Sequence, residues 1–185
     1  GHPVDQLPRL QRHKRGTINA LSFELDFEHN LEKLYHDILL GTYEISPSIC
    51  FIVDKPVKRE VFAASFRDRI VHHYVINQLE RVCENQFIYD TYSCRVGKGN
   101  MFGIRRLQHF VCSCSDQYRQ EAYILKLDIQ GFFMSINKAL LFRKLSNLID
   151  KKYKGWDKRI LISLTEQIVM NDPTQGCVVK SRPHK

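Results

Sequence analysis

The segment Tyr123-Ile124-Leu125-Lys126-Leu127-Asp128-Ile129-Gln130-Gly131-Phe132-Phe133-Met134-Ser135-Ile136 constrains this chain more than any other. It opens as an apolar run of strand length and ends in a carboxylate, a glycine and a pair of phenylalanines. Side chains alternate along a strand, so Leu125, Leu127 and Ile129 are expected on one face and Ile124, Lys126 and Asp128 on the other. Asp128 then stands where a buried strand opens to solvent. A carboxylate delivered there suits Mg²⁺, which takes hard oxygen ligands and keeps waters or substrate phosphates. The backbone carbonyl of Ile129 offers a second oxygen. A strand that simply ends in a solvated Asp before a glycine turn is the plain alternative.

The 185 residues suffice for one well-buried core, or a core and a lobe. A net charge of +8 favours an acidic partner, either nucleic acid or a membrane surface. No apolar run approaches the roughly 20 residues of a membrane span, so no membrane partner is expected and the chain reads as cytoplasmic. The six cysteines include one close pair, Cys112 and Cys114, whose spacing is too short for a zinc knuckle; reduced thiols are expected.

Along the chain, Asn19 to Leu40 carries apolar residues at helical spacing, with Gly41 as a C-terminal stop. Ile49 to Val53 and Val57 to Ala64 read as the two strands of a hairpin turning at Asp54-Lys55-Pro56. Its cations Lys55, Lys58 and Arg59 suit either a charged, soluble edge or a phosphate clamp. Arg67-Asp68-Arg69 leads into a helix with the stripe Ile70, Val71, Tyr74, Val75, Leu79 and Val82, and Asp68 favours the helix start. Asp90 to Asn100 contains Gly97-Lys98-Gly99, a weak phosphate signal that polar turn chemistry explains almost as well. Two further helices are expected, around Leu141 to Ile149 and from Trp156 to Met170.

Three of these stretches, in this order, resemble a known family. Leu127-Asp128-Ile129-x-x-Phe132-Phe133-x-Ser135-Ile136 resembles the first catalytic motif of bacterial reverse transcriptases, the group that serves group II introns, diversity-generating retroelements and retrons. Lys58 to Val71 is similar, without gaps, to their fingers motif, with Glu60, Phe62 and Ala64 where the family usually has Pro, Gly and Pro. Arg95, Gly97 and Lys98 match the second motif, in which Cys94 replaces an aromatic.

The resemblance implies an α+β fold, the fingers of a right-hand polymerase with the first part of its palm, built of helices packed on short antiparallel strands. It divides the chain into an N-terminal helix and fingers region at 1–120, the start of the palm at 121–150 and a return into the fingers at 151–185. It implies an RNA-directed DNA polymerase acting on an RNA template, a DNA primer and deoxynucleoside triphosphates, with two Mg²⁺ ions. Asp128 and the Ile129 carbonyl would bind metal, and Lys55 and Arg59 the triphosphate. Phe133 would pack under the incoming sugar, and Arg95 and Lys98 would approach template or nucleotide. The family's Tyr-x-Asp-Asp turn is absent, and no Asp-Asp pair occurs anywhere. The expectation is therefore a fragment, inactive alone, whose accessory partners are undetermined. The alternative is a non-catalytic nucleic-acid-binding module on a fingers-like scaffold.

Overall fold

The computed structural model describes Phe23, residues 25–54 and residues 58–179. Among them are six α-helices and three strands: α1 (Phe27–Leu40), β1 (Ile49–Val53), β2 (Arg59–Ala63), α2 (Phe66–Cys83), α3 (Asn100–Cys114), α4 (Phe132–Ser135), α5 (Lys138–Lys152), α6 (Lys158–Met170) and β3 (Val178–Val179). The mixed α+β class expected from the sequence is thus present. The chain divides into two compact units, one formed by residues 1–80 with 137–185 and the other by Arg81–Ile136.

In the first unit, β1 and β2 form the expected antiparallel hairpin, with Val53 opposite Arg59 and Ile49 opposite Ala63. The third strand departs from the expectation of an antiparallel sheet. β3 runs parallel to β1, Val178 level with Ile49, and its amide donates to the Ser48 carbonyl at 2.8 Å. Two residues are too few for any period, so nothing in the sequence announced this strand.

Gly41 ends α1 as the sequence predicts. At φ 72° it is left-handed, and it lets Thr42 reach back to the Asp37 carbonyl at 2.9 Å. α5 begins on Asn137, whose side chain accepts from the Leu140 amide at 2.9 Å and so satisfies one of the orphan donors of the first turn. α5 and α6 pack together through Ile149, Leu161 and Leu164, all buried. The turn between them is tied to α2: Tyr153 donates to Asp157 at 2.8 Å, and Tyr74 donates to the other oxygen of the same carboxylate. Burial and Asp157 push the Tyr74 hydroxyl pKa well above its ordinary value. Trp156 contributes little to this packing, being 81% exposed.

The largest departure lies in the second unit. Residues 121–129 carry no regular secondary structure and pair with no strand among the described residues, and Tyr123, Leu125 and Leu127 are at least 80% exposed. The expected buried strand is therefore not formed. The physical reason is that extended backbone becomes sheet only when a neighbour takes its amide and carbonyl groups. Phe132 is half exposed.

Candidate functional site

In the first unit the site residues ride on the hairpin. Arg59 opens β2 and is exposed, as is Lys58 before it; Lys55 lies outside the described residues. What positions the hairpin is Asp68. This side chain is wholly buried, and its two oxygens collect three donors: Tyr43 Oη at 2.9 Å, the Ser46 amide at 2.9 Å and Ser65 Oγ at 2.8 Å. Ser65 in turn accepts from the Asp68 amide at 3.1 Å, a reciprocal cap on the first turn of α2. Tyr43 and Ser46 lie on the chain entering β1, and Ser65 on the chain leaving β2. One carboxylate therefore ties both ends of the hairpin to the start of a helix.

Arg67 strengthens the same corner. It donates to the Glu44 carbonyl and to Asp37, both at 3.0 Å, and lies 4.8 Å from the centre of the Tyr43 ring. Burial, then the neighbouring Asp68 charge, pushes the Tyr43 hydroxyl well above its ordinary pKa.

In the second unit, Arg95 is almost fully committed to its own loop. It donates to both oxygens of Glu84, at 2.6 to 3.2 Å, and to the Ile88 and Thr91 carbonyls and the Thr91 hydroxyl, and its side chain is only 9% exposed. Its guanidinium fixes the loop, and contact with a template or nucleotide would have to exchange some of these bonds. Lys98 donates to the Tyr89 carbonyl and sits 4.1 Å from the Tyr89 ring centre.

Sequence reasoning missed a third cation, Arg106, which grips Asp90 through Nε at 2.7 Å and Nη2 at 3.0 Å. Tyr92 donates to the same carboxylate at 2.7 Å, and its ring packs on Gly103, where an added Cβ would lie 3.0 Å from the ring. Sixteen residues separate Asp90 from Arg106, and no local spacing rule reaches that far. The donors from Arg106 and Tyr92 hold the Asp90 carboxyl at about 2, below its ordinary 3.8. A carboxyl depressed on folding stabilises the loop above its unfolded pKa and loses that contribution as pH falls through its folded pKa. The Asp90 carboxyl resonance is thus expected to titrate with a midpoint of about 2, and Arg106→Ala to return it toward 3.8. A midpoint near 3.8 in the unaltered protein would show the clamp absent.

Asp128 is exposed, and its Oδ1 accepts from the Ile129 amide at 2.9 Å. That bond holds the carboxylate against its own backbone at the end of the run, just before Gly131 turns left-handed at φ 59° and opens α4. Phe133 is 83% exposed and meets Phe132 edge to face, ring centres 5.3 Å apart. Among the described residues no three His, Cys, Asp or Glu side chains gather around a metal-sized site. One carboxylate and one carbonyl fit part of the shell of a Mg²⁺ ion that brings its own waters and phosphates, and do not fit a pair of ions.

No protein-family model matches the chain, and a search of curated proteins finds none that matches. No helix among the described residues is long and apolar enough to cross a membrane.

Proposed function

We propose that this chain carries the nucleotide-binding part and the first metal ligand of an RNA-directed DNA polymerase. The observation that carries the reading is Asp128 itself: an exposed carboxylate at the end of an apolar run, followed by a left-handed glycine and an exposed aromatic five residues on. The order of the three motifs supports it, as does a hairpin that presents Arg59 at an exposed position and is anchored through Asp68.

In this reading the Asp128 carboxylate and the Ile129 carbonyl hold Mg²⁺. Arg59 and Lys55 bind triphosphate oxygens, Arg as a fork and Lys as a point charge. Phe133 supports the sugar, and Lys98 and Arg95 serve template or nucleotide. Bound Mg²⁺ would supply activation of the primer hydroxyl and neutralisation of the leaving pyrophosphate. A two-metal site takes more carboxylates than Asp128 alone, so this chain by itself is expected to extend no primer.

Incorporation of ribonucleotides against deoxyribonucleotides by the complete polymerase tests the assignment of Phe133. Phe133→Ala is expected to lower the preference for deoxyribonucleotides by about tenfold, the scale of one lost packing contact in a transition state. An unchanged preference would remove Phe133 from the site and favour the non-catalytic nucleic-acid-binding module.

A further inference from the structure

Residues 121–129 pose a problem that the polymerase reading leaves open. Among the described residues, none of their backbone groups pairs with another backbone group, yet the run is rich in strand-forming side chains. Tyr123, Leu125, Leu127 and Ile129 are 64 to 90% exposed on one face. Natural sheets blunt such edges with Pro, bulges or unpaired charge. Here the two charges, Lys126 and Asp128, have opposite sign and share the other face.

We infer that residues 124–130 form an antiparallel ladder with the same segment of a second copy of this chain, centred on Leu127. In that register Leu127 faces its own counterpart and Leu125 faces Ile129. Lys126 of each copy faces Asp128 of the other, so symmetry forms the ion pair twice and leaves neither charge without a partner. Competing registers do worse. A parallel in-register pair sets Lys126 on Lys126 and Asp128 on Asp128, like charges directly opposed. An antiparallel pair centred on Leu125 sets Lys126 against Ile124 and Asp128 against Ala122, leaving both charges without an opposite number. A slip by one residue would bring the charged face of one strand beside the apolar face of the other. Gly131, left-handed, ends the ladder where the chain turns into α4.

An isolated two-stranded ribbon is marginal in water, so a concentration-dependent dimer with a dissociation constant on the order of 10 µM is expected. Pairing would also occupy the Asp128 carboxylate, making the dimer a form in which that group is masked.

Analytical ultracentrifugation of the chain and two variants tests this. Lys126→Asp, which opposes two carboxylates twice, is expected to weaken association by roughly tenfold or more, and Lys126→Asp combined with Asp128→Lys to restore it to within about threefold. The segment is exposed, so thermal melts of both variants should match the unaltered chain. Three results would overturn the inference: a monomer at every accessible concentration, a double variant as weak as the single one, or open-ended oligomers in place of a closed pair. The inference does not rest on the polymerase reading, which the activity of Asp128→Asn tests separately.

Discussion

If the proposed polymerase function holds, Asp128→Asn is expected to lower primer extension by on the order of 10³-fold while leaving template affinity and stability almost unchanged. The substitution keeps the size of the side chain and an oxygen that can still accept from the Ile129 amide, so the local bond at 2.9 Å survives. It removes the negative charge and one hard oxygen donor, which are the properties a Mg²⁺ ligand supplies. Because the residue is exposed, stability should move by no more than about 0.5 kcal/mol. Extension rate and template affinity measured on one preparation separate the two readings: a pure binder would lose neither.

Asp68→Ala is expected to cost about 3–5 kcal/mol of folding stability, the range for removing one partner from a buried polar network. The substitution strands the Tyr43 hydroxyl, the Ser46 amide and the Ser65 hydroxyl, which now converge on the carboxylate at 2.8 to 2.9 Å. The bond from the residue-68 amide to Ser65 Oγ survives, because its donor is backbone. Asp68→Asn, which keeps one acceptor oxygen but turns an NH₂ toward a donor, should fall between the two. Urea unfolding followed by circular dichroism would record the loss as a lower midpoint at constant slope. A cost below about 1 kcal/mol for Asp68→Ala would show that the corner is not held this way.

The two residues illustrate what could be read from the sequence and what could not. The hairpin was legible because Ile49 to Val53 is a short apolar run and the turn after it carries Pro and charge, and α2 because of its apolar stripe, of which the structure buries Val71, Val75, Leu79 and Val82 and leaves Ile70 and Tyr74 half-buried. Asp68 was legible only as a helix-start acid. That it is fully buried depends on Tyr43 and Ser46, more than 20 residues away, although the spacing from Ser65 to Asp68 does carry the capping signal. The Asp90 clamp has no such signal, because Arg106 reaches it from the next helix. At Tyr123 to Ile129 the sequence suggested a buried strand, and the structure leaves the run exposed and unpaired among the described residues. Periodicity reports what a segment can pair with, and whether a partner is there is a property of the rest of the structure.

Asp128 is the point on which the functional account turns, and exchanging its oxygens for sulfur tests it most directly. On the proposed polymerase function, Asp128→Cys is predicted to be inactive with Mg²⁺ and to regain measurable primer extension with Mn²⁺ or Cd²⁺, because thiolate ligands prefer softer ions. Full activity of the same variant in Mg²⁺ would contradict a metal-binding role for Asp128.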